Sequence, residues 1–544
     1  MTLLETILKN RGYASRQERE AFLSPDYDAQ SADPFLLPDM ARAVERIVRA
    51  KKNHEKVVIY GDYDIDGLTA STVLLESLTA FGIETSVFIP NRFVEGYGLS
   101  GPALKKLAAD GAQLVVTVDC GSLSHKEIEL ANTSGLDVIV TDHHSVADTM
   151  PSAVAVINPK RTDHTYPFID LAGVGVAFKL VQALQTELGG LAKGQEKWLL
   201  DLVALGTVCD VVQLKGENRA LVYWGLRVMQ KTRRVGLKML IAVSRIQPDA
   251  LDARALGFGL GPRLNAAGRL ETAQLALDLL TSTDRAEALR LAELLDVMNT
   301  ERRAEQDRIF KAAKEQALEY EKDNVLVVSH ESWSHGIIGI VAAKLLETYH
   351  KPTFVLQELA DGTAKGSARS FGDFSAVEGI RATETLLIKG GGHKLAAGVT
   401  LETSKVSDWR MAINSYYKGL KLENQSQHLY PKADVTIDGF EGLSEKLIHD
   451  LSRLEPYGHG NPEPVFTIQD VSVTGRRTMG ADAQHVRYTL LDSEGYTLHM
   501  VAFNKAHEFT ADIGERVNVW FSLTLNEWQG RRSVEGRLIR LELA

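Results

Sequence analysis

The sequence predicts an α/β protein: a parallel-sheet domain joined by a long helix to a smaller α/β domain, followed by a small β-barrel. Three observations carry this expectation. Short apolar, β-branched runs alternate with helical stretches through the first part of the chain. A charged run from Arg285 to Lys322, with Ala and Leu at helical spacing, reads as one long helix or a helical hairpin. From about Pro431 the pattern changes to short alternating strands separated by Gly and Asp turns.

In chain order, Lys56–Tyr60 reads as the first buried strand, followed by helical patterning over Leu68–Leu78 and an apolar run at Thr85–Ile89. Leu114–Val118, Leu136–Thr141 and Ala153–Ile157 read as further strands. Strands alternating with helices imply a mostly parallel sheet covered on both faces, with ligands bound outside the carboxyl ends of the strands. Val174–Met239 is largely helical in pattern, and a second α/β unit opens with Asn324–Ser329. Past Ser404 the chain becomes polar, with Lys421–His428 the best linker candidate. Barrel strands are expected at Val465–Val473, His485–Leu491, Thr497–Phe503, Arg516–Leu525 and Ser533–Leu543. The expected division is therefore 1–280 for an N-terminal segment and the first α/β domain, 281–323 for the long helix, 324–403 for the second domain, and 431–544 for the barrel.

The 544 residues exceed one ordinary core, and 44% hydrophobic with 24% charged residues excludes wholesale disorder. No basic segment followed by an apolar run opens the chain, and no stretch approaches the roughly 20 apolar residues of a membrane helix. Two cysteines, Cys120 and Cys209, build no disulfide framework and suit a reducing cytoplasm. A net charge of −10 argues against a protein that coats nucleic acid over its whole surface, but not against a local basic channel.

The strongest local signal is the run of Asp62, Asp64 and Asp66 directly after the first strand. Carboxylates at alternate positions offer several oxygen ligands to hard cations. A calcium loop of the helix–loop–helix kind would need a Glu at its twelfth position, which here is Val73. Two more strands end in Asp119 and in Asp142-His143-His144, and a helical stretch ends in Asp210. Each has an ordinary reading as a turn or capping residue. Their coincidence at the same type of position points instead to a metal site. Carboxylates with one or two imidazoles and no paired cysteines favour Mn²⁺ or Mg²⁺ over structural zinc. Two such cations support in-line phosphoester hydrolysis, and spacing alone leaves the phosphoester open.

At these residues the chain resembles the DHH phosphoesterase superfamily, whose name is the triplet Asp142-His143-His144. The second unit resembles its partner domain, DHHA1, through Ser334–Gly339, Gly366–Ser370 and Gly390–Gly398. Gly261–Arg269, Glu455–Phe466 and the terminal β-unit, an OB-fold in appearance, are similar to the superfamily's single-stranded-DNA 5′ exonucleases. The resemblance implies that Asp64 and Asp119, assisted by Asp62, hold one cation. Asp66, Asp119, His143 and Asp210 would hold the other, making Asp119 the bridge. It further implies that His144 contacts the scissile phosphate and that Asp142 orients the histidines. Tyr60 stands where related pyrophosphatases carry a histidine, and Cys209 stands where the family carries a small residue. Cys209 reads as a buried neutral thiol, with a soft ligand or redox position as the alternative.

The same resemblance makes Arg92, Arg263, Ser367, Arg369 and His393 candidates to grip a terminal 5′-phosphate, a task that suits the planar guanidinium. In the barrel, Arg476, Arg477, Arg487, Arg531 and Arg532 with Tyr488, Phe503 and Trp528 are the available parts for binding a single strand. Phe503 is expected to be barrel core. The implied activity is 5′→3′ hydrolysis of single-stranded DNA to mononucleotides by a cytoplasmic monomer. Repair and recombination, a helicase and a single-strand-binding protein are the implied setting. The alternatives are a nanoRNase or a cyclic-dinucleotide or pyrophosphate hydrolase with the same chemistry, and a non-catalytic DNA-binding scaffold of the same fold.

Overall fold

Five β-branched, largely apolar segments line up in parallel as β1 (Val57–Gly61), β2 (Thr85–Phe88), β3 (Leu114–Val118), β4 (Asp137–Thr141) and β5 (Ala155–Ile157). In this computed structural model their order is β2-β1-β3-β4-β5. The order reverses between β1 and β3, and a crevice opens beyond the carboxyl ends of the strands at such a reversal. The structure describes residues 2–544 except 93, 94, 97, 193, 423, 424, 429, 431 and 529, and the side chains of 426, 427 and 528 also lie outside the described set.

The helix after β1 runs Ile65–Ala80, earlier than the apolar pattern suggests, because Asp64 caps it. Its buried face packs against the helices Gly173–Leu188 and Leu200–Cys209. Strands β4 and β5 start one and two residues later than their apolar runs. The charged run forms a single helix, Arg285–Glu319.

The chain forms two compact units, one of residues 1–298 with 434–544 and one of residues 299–433. The second holds a sheet of β6 (Leu326–His330), β7 (Thr353–Glu358), β8 (Thr363–Arg369), β9 (Lys389–Gly392) and β10 (Ala396–Glu402), ordered β6-β7-β8-β10-β9. Its core runs past residue 403, because the polar-looking stretch after Ser404 is an amphipathic helix, Val406–Gly419. Trp409 of that helix packs edge-on against Phe354 at 5.0 Å. The expected linker Lys421–His428 lies partly outside the described residues. Gln425 within it accepts a hydrogen bond from the Asp373 amide at 3.0 Å.

The terminal unit contains β11 (Val435–Thr436), β12 (Phe466–Met479), β13 (His485–Leu491), β14 (Thr497–Ala502), β15 (Arg516–Trp528) and β16 (Arg531–Leu543). A pairing of β12 with β15 closes β12-β13-β14-β16-β15 into a barrel. The N-terminal helices Leu3–Asn10 and Arg16–Leu23 bury Leu4, Ile7, Leu8 and Phe22 in this barrel's core rather than in the parallel-sheet domain. Their amphipathic pattern shows that they bury a face, but not which one of two cores receives it.

Candidate metal centre

Gly61 ends β1 where a Cβ would meet the Ser71 hydroxyl at 2.2 Å, so the chain turns there without a side chain. Asp62 follows. Asp64 then accepts hydrogen bonds from the amides of Asp66 (2.9 Å) and Gly67 (3.2 Å), starting the next helix. That turn puts Asp66 in the first turn of the helix, where both its carboxylate oxygens are taken by the start of Gly173–Leu188. Gly173 N donates to Oδ2 at 2.6 Å and Val174 N to Oδ1 at 2.8 Å. A helix N-terminus favours a negative charge, so these two bonds work against the burial that raises Asp66.

Asp119, directly after β3, has a left-handed backbone (φ 62°). For a residue with a Cβ this conformation is strained, and such strain persists where the surroundings over-determine it. Asp142, directly after β4, is the hub of the histidine turn. Its Oδ1 accepts the amides of His143 (2.8 Å) and His144 (3.1 Å) and meets His144 Nδ1 at 2.9 Å, while Oδ2 accepts the Ser122 amide at 2.9 Å. Asp210 caps the carboxyl end of the helix Leu200–Cys209.

These elements bring seven side chains into three overlapping sets whose ligand atoms lie within 4.8 Å of one another: Asp62, Asp64 and Asp119; Asp66, His143 and Asp210; and Asp119, His143 and His144. Asp119 belongs to two sets. His143 Nε2 lies 3.1 Å from Asp119 Oδ1, 3.5 Å from Asp210 and 3.7 Å from Asp66. Yet His143 Nε2, Asp119 Oδ1 and Asp62 Oδ1 are buried without a hydrogen-bond partner. Leaving such atoms unsatisfied costs about 1–3 kcal/mol each. The donor set and these orphaned atoms fit hard divalent cations.

Electrostatics reinforce the fit. Burial, with the neighbouring carboxylates adding to it, pushes Asp62 up to about 8, Asp66 up to about 7 and Asp210 up to about 9. Asp119 is raised well above the ordinary range by burial and then by Asp66 and Asp64. Burial and then the charge of His144 lower His143 to about 3, so its imidazole is neutral and can be a ligand. His144 goes the other way: burial works against its charge, but the bond to Asp142 and the surrounding carboxylates raise it. Asp142 ends well below the usual range, because its bonds from His144 and the Ser122 amide outweigh its burial.

Tyr60 does not take a histidine's place in these sets; its hydroxyl donates to Gly98 O (3.3 Å) and accepts the Ser100 amide (3.2 Å). Burial raises the Cys209 thiol, which points at the Leu256 carbonyl at 3.8 Å, as a neutral packing residue does. Gly173 and Val174, which hold Asp66, were not legible as site residues. The one signal is the Gly173-Val-Gly175 pair at a helix start.

Among the phosphate candidates, Arg92 stacks over the Tyr63 ring at 4.2 Å and its charge acts on Asp62. Arg263 is engaged by Asp296 (2.8 Å) and the Gly259 carbonyl (2.7 Å). In the second unit, Arg369 and Ser367 share one face of β8 with Nη1 3.3 Å from the hydroxyl, and among the described residues no carboxylate pairs with Arg369. A Cβ on Gly339 would lie 2.9 Å from Ser367 Oγ and 3.3 Å from the guanidinium, so glycine lets the helix His335–Tyr349 come close. His393 is exposed in the β9–β10 connection.

On the barrel, Arg477 sits directly across from Arg487, two like charges side by side that an anion would relieve. Arg487 leans on Glu535 (2.8 Å), Arg476 on Tyr488 (3.4 Å) and Arg532 on Glu527 (3.1 Å), while Arg531 is exposed. The side chain of Trp528 lies outside the described residues. Two aromatic expectations reverse. Tyr488 is buried in the barrel and donates to the Phe509 carbonyl, whereas Phe503 is 60% exposed. The reason is alternation: Met500 and Ala502 point inward, so Phe503, just past the end of β14, faces solvent.

Comparison with known proteins follows the same division. The chain matches the DHH family N-terminal domain over residues 56–207, the DHHA1 domain over 322–419 and the RecJ OB domain over 434–539. It is 36% identical to the single-stranded-DNA-specific exonuclease RecJ of Bacillus subtilis (strain 168) over 97% of this chain, and spans 66% of that relative's length. It is 34% identical to the exonuclease of that name from Escherichia coli (strain K12), over 98% of this chain and 94% of the relative. The crystal structure of RecJ with Mn²⁺ from Thermus thermophilus is similar with a TM-score of 0.85 and 29% identity, covering 99% of this chain and 76% of that one.

Proposed function

This chain belongs to the RecJ family of DHH phosphoesterases, and from that premise we propose that it is an exonuclease degrading single-stranded DNA from the 5′ end to mononucleotides. The observation that carries the reading is the cluster of three overlapping carboxylate and histidine ligand sets, two of which share Asp119, with three buried ligand atoms left unpaired. Asp62, Asp64 and Asp119 would hold one divalent cation, and Asp66, Asp119, His143 and Asp210 the other, Mn²⁺ or Mg²⁺. When bound, such a pair supplies an activated water and neutralises charge on the attacked phosphate.

The chain's own residues do the remainder. Neutral His143 can be a ligand without first losing a proton. His144, oriented through Nδ1 by Asp142, presents its ring to the scissile phosphate as a hydrogen-bond donor. Arg369 and Ser367 take the terminal 5′-phosphate. Arg476, Arg477, Arg487 and Arg531 follow the strand along the barrel, and Phe503 replaces Tyr488 as the available stacking ring. A supplying helicase, a single-strand-binding protein, a monomeric state and a cytoplasmic location belong to the same reading. No helix among the described residues is long and apolar enough to cross a membrane.

The test is polarity. Single strands labelled at either end, with and without a 5′-phosphate, are incubated with Mn²⁺ and with EDTA. Release of mononucleotides from the 5′ end in Mn²⁺ alone is expected. Release from the 3′ end, or cleavage of dinucleotides in preference to long strands, would sink the reading.

A further inference from the structure

We propose that Asn158 is a positioning residue for this reaction, setting the main chain of the Asp142–His144 turn and through it the placement of His144. Asn158 directly follows β5, so a fourth strand of the sheet delivers a polar side chain to the crevice. It is 0% exposed, and its side-chain bonds go to Ser122 and to main-chain atoms rather than to a cation ligand's side chain. Both hydrogens of its amide are used in one direction. Nδ2 donates to the His144 carbonyl at 2.9 Å and to Ser122 Oγ at 2.9 Å. Ser122 in turn gives its amide to Asp142 Oδ2 at 2.9 Å, and Asp142 Oδ1 meets His144 Nδ1 at 2.9 Å.

His144 is thus held twice, through its ring by Asp142 and through its carbonyl by Asn158. The two holds meet at Ser122, forming a closed circuit of Asn158, Ser122, Asp142 and His144. Asn158 is itself fixed. Its Oδ1 accepts the Lys160 amide at 2.9 Å, and Pro159 restricts its backbone to extended conformations. An aspartate could keep the bond to Lys160, but it has no N–H to give to Ser122 or His144. The circuit therefore requires an amide at this position.

The inference rests on the exonuclease reading only for its natural substrate, so the experiment uses two substrates. The full chain, N158D and S122A are assayed with Mn²⁺ on 5′-phosphorylated single-stranded DNA and on a p-nitrophenyl phosphodiester. Mn²⁺ binding is followed by electron paramagnetic resonance, and stability by thermal melting. For N158D, kcat falls about 10- to 100-fold on both substrates, the scale for supporting residues of a metal site. KM and bound Mn²⁺ stay at parental values. S122A loses less, in the same direction. A kcat within about twofold of the parent for both variants would overturn the proposal, and so would a fall matched by lost Mn²⁺ and melting temperature. If N158D does not fold, S122A decides by the same criteria. A parent that cleaves the diester but not DNA refutes the substrate reading and leaves the positioning role standing; a parent that cleaves neither refutes both.

Discussion

A methyl group on Gly173 would lie 2.8 Å from Oδ1 of Asp119, so the helix that caps Asp66 also leaves just enough room for the carboxylate shared by two ligand sets. Alanine there must displace either the carboxylate or the helix start. G173A is expected to weaken Mn²⁺ binding and lower kcat by about 10-fold or more, with a stability cost of about 1–3 kcal/mol for the overpacked methyl. Parental Mn²⁺ affinity in G173A, measured by isothermal titration, would refute the spatial argument.

Asp119→Ala removes the carboxylate that belongs to two of the three ligand sets. Mn²⁺-dependent cleavage should fall by at least about 100-fold, while single-strand binding measured by fluorescence anisotropy stays close to parental. Unchanged nuclease activity in this variant would dismantle the site assignment.

Removing the cations should make stability depend on pH in a defined direction. Asp62, Asp66 and Asp210 are raised from 3.8 to about 8, 7 and 9, so the folded, metal-free chain binds protons that the unfolded chain releases. Stability therefore falls as pH rises between about pH 4 and pH 9, because the folded state must ionise crowded carboxylates over that window. In EDTA the melting temperature should drop across it, and the gain from added Mn²⁺ should be larger at high pH than at low. A gain independent of pH would contradict the crowding of these groups.

Arg219 is a buried cation, 2% exposed, with no carboxylate partner among the described residues. It donates to the carbonyls of Phe22, Leu454 and Glu455 at 2.8–3.1 Å, and to those of Arg453 and Pro456 at longer range. Its guanidinium lies over the Phe22 ring at 3.8 Å. It ties the helix Gly216–Met229 to the N-terminal segment and to the chain entering the barrel. R219M should cost more than about 2 kcal/mol in guanidinium denaturation, since several buried carbonyls lose their donor. Lysine, with three donors and no planar fork, should not restore it. Near-parental stability in R219M would show that the carbonyls find other partners.

Arg369→Ala should raise KM for 5′-phosphorylated strands by about 10-fold or more, and KM for 5′-hydroxyl strands much less, because a charge-assisted bond to phosphate is lost. Equal effects on both substrates would remove Arg369 from recognition of the terminal phosphate.

Much of the centre was legible in the chain because its residues follow apolar strands. Asp62, Asp119 and Asp142 stand immediately after β1, β3 and β4, and a parallel sheet carries the ends of neighbouring strands to one edge. Their supporting residues were not legible. Gly173 and Ser122 give backbone amides and Asn158 gives its side-chain amide, roles that depend on distances to Asp66, Asp142 and His144 rather than on local pattern. Arg263, which the sequence offers as a phosphate ligand, also bonds Asp296, 33 residues away, a partner that no local pattern shows.

The order of residue types along the sequence determined the α/β class, the closing barrel and the presence of a strongly acidic, histidine-bearing edge. Local pattern suffices for these, since strand and helix periodicity and strand-end residues are short-range properties. Only the tertiary structure decided which carboxylates meet, that Asp119 is shared, that the first two helices complete the barrel core, and that Tyr488 is buried while Phe503 is exposed. Those facts depend on distances between segments far apart in sequence, and on which side of a turn a strand ends. Packing sets both.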